Sequence, residues 1–375
     1  MSSARVTAVE DGEPLERRVA AILSELREEY RQPHESPWIV GFSGGKDSTL
    51  LAQLVFEMLL SLPPRARRRQ VHLVANDTLV ESPIIGAHLD VMLKRIEQAV
   101  PALRVPVVVA RTIPELEQTF WVNLIGRGYP SPSRMFRWCT DRMKIAPTAR
   151  YVREQVDVAG RVVMLLGVRA AESPQRAVSV HRYRNAGQRL NPHNSLQGCM
   201  IFKPIVDLST DEVWQLLLQS QPPWGGSHRE LVTIYRNAAG GECPLVTDKD
   251  DAPSCGTKSS RFGCWTCTVV EKDRSAEAFV DAGHENLEPL LAMRDWLKAL
   301  REDGTKRSAR RRNGSLNFVG EGRLIPGPFT LRAREEILER LLETQDEVGL
   351  PLISREEIEE IHRLWAEDIR LGHAA

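Results

Sequence analysis

The sequence predicts an α/β protein: a parallel β-sheet with helices on both faces, followed by a Cys-containing loop region and C-terminal helices. Two observations lead to this. Between residues 38 and 170, short apolar runs alternate with amphipathic helical patterns, the signature of strands joined by crossover helices. Three of those runs end in polar clusters, SGGKDS, NDTLVES and GVRAAES. Ligands on such sheets bind at the carboxyl ends of the strands, so the three clusters together predict a site.

Residues 14–30 (PLERRVAAILSELREEY) read as an amphipathic helix packed on the main domain. WIVGFS is a buried strand, STLLAQLVFEMLLSL a helix, QVHLVANDT a strand, SPIIGAHLDVMLKRIEQAV a helix, and RVPVVVART and RVVMLLGVRA further strands. Capping boxes are expected at Thr112–Glu115, Ser209–Glu212 and Ser354–Glu357, where a hydroxyl and a carboxylate three residues on can close a helix start. The texture turns Pro-, Gly- and Cys-rich near residue 221 and helical again near 276. The expected organisation is an N-terminal helix over 1–35, a sheet domain over 36–220, a Cys-rich region over 221–275 and a helical region over 276–375.

The chain has 375 residues, of which 50 are basic and 50 acidic. No global field singles out a nucleic-acid partner, although a local groove can still be positive. The N-terminus is charged, without the apolar stretch of a signal peptide, and no run approaches the roughly 20 apolar residues of a membrane span. The expectation is a cytoplasmic protein without a membrane partner. There the six cysteines read as ligands or reactive groups rather than disulfides.

Ser43-Gly44-Gly45-Lys46-Asp47-Ser48 sits between a strand and a helix. It fails the Walker pattern twice: Asp47 follows the lysine, and Val40 stands where the first glycine belongs. The anion chemistry is nevertheless present. Gly44 and Gly45 permit a tight turn that aims amides at an anion, the helix start favours negative charge, Lys46 adds a cation, and the two serines add hydroxyls. A glycine turn with a surface lysine is the plain alternative. The hexapeptide resembles the PP-loop of the ATP pyrophosphatases, whose fold is HUP-like and Rossmann-related. That resemblance implies ATP and Mg²⁺ as cofactors, held by residues 43–48 with Asp77 and Thr78. It also implies cleavage between the α and β phosphates.

Asn76-Asp77-Thr78 with Glu81 closes the second strand, as a metal or nucleotide contact or as a turn rich in capping residues. In Gly167-Val-Arg169-Ala-Ala-Glu172-Ser-Pro-Gln-Arg176, two arginines flank a glutamate, a set suited to phosphate or sulfate. The segment resembles the corresponding one of the phosphoadenylyl-sulfate reductase branch, as does the stretch Lys203–Trp214. Trp214 itself reads as core.

Cys264-Trp-Thr-Cys267 is preceded by Cys255, and Cys139 lies upstream within Arg134-Met-Phe-Arg137-Trp-Cys139-Thr-Asp-Arg142-Met-Lys144. Such thiols suit a tetrahedral metal or a four-cysteine iron–sulfur centre. SRMFRWCTDRMKIAP, NDTLVESP and SCGTKSSRFGCWTC together resemble the DNA phosphorothioation sulfurtransferases of the DndC/Ssp type, over residues 35–275. The resemblance implies a [4Fe–4S] cluster on Cys139, Cys255, Cys264 and Cys267, with Zn²⁺ the alternative. It further implies an ATP-dependent enzyme that adenylylates a DNA backbone phosphate so that sulfur can replace an oxygen. Its expected partners are DNA, a cysteine desulfurase and other phosphorothioation-system proteins, in antiphage defence. Lys46, Asp47, Lys144, Arg169 and Glu172 are then the catalytic candidates, and Arg137, Arg142, Arg169 and Arg176 the phosphate contacts. Cys243 is a candidate alternate ligand or sulfur carrier, and Cys199 reads as structural. The basic runs 65–69 and 306–312 are candidate backbone contacts or solvated loops. Rival readings are an adenylyl- or phosphoadenylyl-sulfate reductase, a tRNA thiolase, and a metal-stabilised DNA-binding subunit without enzymatic activity.

Overall fold

In this computed structural model, residues 13–172, 188–238, 263–312, 314–319 and 322–372 are described. Contacts group the chain into two units, each drawing on three stretches. The first is Met1–Asn76, Pro83–Thr112 and Thr148–Ser259; the second is Asp77–Ser82, Ile113–Pro147 and Ser260–Ala375.

The first unit is built on a six-stranded sheet. Its strands are β1 (Trp38–Gly41), β2 (Val71–Asn76), β3 (Val107–Thr112), β4 (Val162–Leu165), β5 (Asn191–Pro192) and β6 (Cys199–Phe202), in the order β3-β2-β1-β4-β6-β5. All pairings are parallel except β5 with β6. β1 is central, and the chain leaves it first toward β2 and β3, then returns to β4 on its other side. The gap beyond the β1 and β4 carboxyl ends is therefore the topological switch point, where such sheets hold ligands. The predicted strands match β1 to β4. The two-residue β5 was not anticipated, because so short a run within NPHNSLQG carries too little pattern.

Helices cover both faces. On one, Trp38, Val40, Leu73 and Leu165 pack with Leu26 of α1 (Leu15–Tyr30) and Leu51 and Val55 of α2 (Lys46–Ser61). Ile96 of α3 (Pro83–Leu103) joins the same cluster. On the other, Ile39, Val162 and Met164 meet Ala149 and Val152 of α4 (Ala146–Ala159). This alternation along β1 is what a period-two strand buried on both sides requires. α5 (Thr210–Gln219) opens with the expected box, Ser209 and Glu212 bonding each other's backbone. Trp214 on it is core. No helix begins at the expected Thr112 box: Thr112 ends β3, and its hydroxyl donates to Asn76 Oδ1 at 3.0 Å.

α6 (Arg229–Ala238) follows a buried histidine. His228 Nε2 lies 2.6 Å from Gln53 Oε1, while the Gln53 amide donates to Glu57 Oε1 and Ser220 Oγ, each at 2.7 Å.

The second unit is helical. It contains α7 (Arg274–Asp281), α8 (Glu288–Glu302), the small hairpin β7 (Phe318–Val319) with β8 (Arg323–Leu324), α9 (Leu331–Val348) and α10 (Arg355–Arg370). Ser354 and Glu357 form the predicted box at α10. Buried Arg334 and Asp368 pair at 2.8 Å, and Arg334 Nη1 also donates to the Gly126 carbonyl at 2.7 Å. Among the described residues no helix is long and apolar enough to cross a membrane.

Burial pushes the His228 imidazole down to about 4. A histidine held neutral in the fold takes up a proton on unfolding, so it favours the folded state above its unfolded pKa of about 6.5 and loses that contribution toward pH 4. Urea midpoints of the wild type should therefore fall more steeply between these pH values than those of His228→Asn. The difference should reach roughly 3 kcal/mol at the acid end. Parallel profiles would contradict this assignment.

Candidate functional site

β1 ends at Gly41 and α2 starts at Lys46, so residues 42–45 carry the whole strand-to-helix connection. Gly44 has φ +72°, a left-handed backbone that only glycine adopts without strain. No side chain caps α2: Gly45 occupies the cap position. The loop instead bonds to itself. Ser48 Oγ donates to the Gly45 carbonyl at 2.9 Å and accepts from the Ser43 amide at 3.2 Å, and the Ser43 and Ser48 hydroxyls are 3.1 Å apart. The Gly45 amide reaches Ser43 Oγ at 3.4 Å. The Lys46 amide donates to the hydroxyl of Tyr235, on α6, at 3.2 Å.

Behind the loop lies Asp47. Its Oδ2 accepts from Lys46 Nζ at 3.0 Å and its Oδ1 from Arg169 Nε at 2.6 Å. The Arg169 side chain is 1% exposed; it also donates to the Leu208 carbonyl and to Thr210 Oγ1, each at 3.2 Å. The sequence offered Arg169 as a phosphate contact, whereas the structure engages its planar fork inside the protein, holding the loop to the start of α5. Gly167 explains how the connection after β4 comes this close. A Cβ there would sit 2.9 Å from the Asp47 carbonyl oxygen and 3.1 Å from the Ser48 amide nitrogen, so only glycine fits. Glu172 closes a short turn, Ala170–Glu172; Arg176 lies outside the described residues.

Asp77, Thr78 and Glu81 belong to the second unit, with the cysteines. Asp77 Oδ1 accepts from the Leu79 amide at 2.8 Å, stabilising a turn in which Leu79 has φ +64°. Thr78 is fully buried; its hydroxyl lies 2.9 Å from Glu81 Oε1 and 3.3 Å from Cys264 Sγ. Glu81 and Cys264 are bridged through the backbone, and the Trp265 amide donates to the Val80 carbonyl at 3.1 Å. The CxxC turn is closed by the Cys267 amide on the Cys264 carbonyl at 3.1 Å. Cys139 comes from a helical turn, Trp138–Thr140, anchored by Trp138 Nε1 on the Pro130 carbonyl at 2.9 Å and by stacking on Phe120.

One cation draws these groups together. Lys144 Nζ is 3.6 Å from Glu81 Oε1. Burial acts to lower its pKa, but Cys264, Glu81, Cys139 and Cys267 outweigh this and raise it. Burial, then the Glu81 charge, pushes the Cys264 thiol up to about 12, against the pull of Lys144. Burial and Cys267 likewise raise Cys139. Cys139, Cys264 and Cys267 thus share one electrostatic neighbourhood. Among the described residues, however, no group of three or more His, Cys, Asp or Glu is arranged to hold a metal ion. Cys255 and Cys243 lie outside the described residues. The donor chemistry present is that of a thiophilic centre rather than a hard cation. Cys199 is buried on β6, its thiol pushed up to about 11 by burial, as a structural cysteine should be.

Sequence reasoning missed Arg294 on α8. It is 1% exposed, with Nε on the Cys267 carbonyl at 3.0 Å and Nη1 on the Glu271 carbonyl at 3.2 Å. The available signal was an arginine on the apolar face of LLAMRDWL. Of the predicted phosphate contacts, Arg142 is engaged by Gln118 and by Tyr129, whose hydroxyl is 3.2 Å away and whose ring it overlies at 5.3 Å. Arg137 is exposed, and its carbonyl accepts from the Thr140 amide at 3.0 Å. Parts of both basic runs are structural. Arg69 is buried against Glu29, Arg67 holds the Leu62 and Leu103 carbonyls, and Arg307 and Arg312 bind the Gly327 carbonyl and Asp368.

A parallel sheet with a glycine turn and helix start at its switch point gives the class: an α/β domain of PP-loop-like fold. Residues 37–270 match the phosphoadenosine phosphosulfate reductase domain, and the chain belongs to that family. It is similar to an uncharacterized protein of Methanocaldococcus jannaschii, 26% identical over 190 residues, covering 51% of this chain and 33% of that protein. The chain thus spans about a third of the length of this curated relative. Among solved structures it is similar to the phosphoadenylyl-sulfate reductase of Candida auris, at 12% identity and TM-score 0.33, over 57% of this chain and 89% of that one. It is also similar to the U34-tRNA thiolase of Methanococcus maripaludis with its [4Fe–4S] cluster, at 13% identity and TM-score 0.34, over 66% and 90%.

Arg169→Ala should leave Asp47 partly buried without its main partner and cost about 3 kcal/mol in urea unfolding. Arg169→Lys should recover little of it, because one ammonium cannot reproduce the three-acceptor fork. Full recovery by lysine would contradict the clamp.

Proposed function

We propose that the protein is an ATP-dependent sulfurtransferase that activates a DNA backbone phosphate for replacement of a non-bridging oxygen by sulfur. The observation that carries this reading is the meeting of Cys264 and Lys144 at the Thr78–Glu81 turn, Cys264 Sγ 3.3 Å from Thr78 Oγ1 and Lys144 Nζ 3.6 Å from Glu81 Oε1, in a chain that also has the anion loop. Loop amides and Lys46 would take the β and γ phosphates, Arg169 keeping Asp47 in place behind them. A non-bridging DNA oxygen would attack the α-phosphorus of ATP; one P–O bond forms and pyrophosphate leaves. A hydrosulfide equivalent would then form the P–S bond at the DNA phosphorus as the P–O bond to AMP breaks. Adenylylation is what turns a very poor leaving oxygen into a good one.

Mg²⁺ would accompany the ATP phosphates, which supply most of its ligands. Cys139, Cys255, Cys264 and Cys267 would hold a [4Fe–4S] cluster, or Zn²⁺ in its place; a bound cluster would supply sulfur handling or electrons. Arg137, with its exposed guanidinium, is suited to a DNA phosphate, and a cysteine desulfurase would be the source of sulfur.

The reductase reading is favoured by the family match itself. It requires no ATP turnover, so product analysis separates the two. On our reading the protein, given DNA, converts ATP to AMP and pyrophosphate, and Lys46→Ala lowers that rate by roughly 100-fold or more. Turnover of an adenylyl-sulfate substrate with no AMP formed from ATP would favour the reductase. Arg137→Ala should weaken DNA binding and reduce the slope of log K against log salt by about 1. An unchanged slope removes Arg137 from the interface.

A further inference from the structure

Three amides of the anion loop are occupied by hydroxyls of the protein itself. Ser48 takes the Ser43 amide, Ser43 takes the Gly45 amide, and Tyr235 takes the Lys46 amide. The two serines belong to the loop and can turn with it. Tyr235 does not: it is 189 residues away in sequence, on α6. Its hydroxyl sits at the first residue of α2, where helix amides and the helix field favour an anion. Its ring lies 5.4 Å from Lys46 Nζ, within reach of a cation–π contact. It packs edge-on against Trp214 at 4.9 Å. A Cβ on Gly45 would meet the same hydroxyl at 3.2 Å. The phenol thus fills the space in front of the loop and engages both the amide and the ammonium that a phosphate would use.

We propose that Tyr235 is a displaceable plug of the phosphate site. Its hydroxyl takes the Lys46 amide, and an entering pyrophosphate group must push it aside. The inference rests on the reading of residues 43–48 as a pyrophosphate cradle. Two consequences follow from general physics. Breaking one neutral hydrogen bond opposes binding by about 1 kcal/mol, and the displaced side chain couples site occupancy to α6, because it cannot leave the loop without repacking against Trp214.

The probe is inorganic pyrophosphate, titrated calorimetrically into the full-length wild type, Tyr235→Phe and Lys46→Ala. Phenylalanine keeps the ring against Trp214 and removes only the hydroxyl, so Tyr235→Phe should bind pyrophosphate roughly 3- to 10-fold more tightly. Lys46→Ala should bind it more weakly. Independently of any variant, hydrogen exchange of the wild type should show residues 229–238 losing protection when pyrophosphate is added. Weaker or unchanged binding by Tyr235→Phe overturns the plug, and so does unchanged exchange in α6. If wild type and Tyr235→Phe both fail to bind pyrophosphate, the cradle reading falls with it. If wild type binds, Lys46→Ala does not, and Tyr235→Phe gains nothing, the cradle stands and the plug alone is wrong.

Discussion

The ion pair between Asp47 and Arg169 is the constraint on which the ATP-site account depends. The loop after β1 bonds to itself through Ser43 and Ser48, but its helix begins without a side-chain cap. What holds it is a nearly inaccessible guanidinium approaching from beyond β4 and reaching Asp47, the Leu208 carbonyl and Thr210 in one plane. A buried arginine is tolerable only when its donors are satisfied and its charge is met. Asp47 supplies the charge and the carbonyl and hydroxyl supply acceptors. The same contact brings the two connections at the switch point together, which is why residue 167 has to be glycine.

The cysteine group is organised by the opposite device, a cation left in the open among potential anions. Lys144 is half exposed, and Glu81 Oε1 faces its ammonium at 3.6 Å. The surrounding backbone is fixed by groups without functional chemistry of their own, Trp138 on the Pro130 carbonyl and Arg294 on the Cys267 and Glu271 carbonyls. Rigid scaffolding around soft donors is what a thiolate-bound centre requires of its support.

Much of the sheet was legible because buried parallel strands write themselves as short apolar runs, and β1 to β4 do so. β5 was not, being too brief to show a period. The turn between β1 and α2 was legible from its glycines and the helical pattern after it, since turn geometry depends on local sequence more than on partners. Roles of arginines were the least legible. Arg69, Arg169, Arg294, Arg307 and Arg312 are spent on carbonyls and carboxylates supplied by distant segments, and a linear sequence does not display those partners. Tyr235 was invisible for the same reason: its meaning depends on meeting an amide 189 positions earlier.

The central claim is that this loop and these thiols serve one chemistry, the insertion of sulfur into a DNA backbone. Its most direct test is mass spectrometry of nuclease-digested DNA from cells carrying the gene, a Lys46→Ala allele or a deletion. Our account predicts phosphorothioate-linked dinucleotides in the first sample and their loss from the other two. Their absence from all three samples, with sulfur recovered in tRNA or released as sulfite, would contradict it.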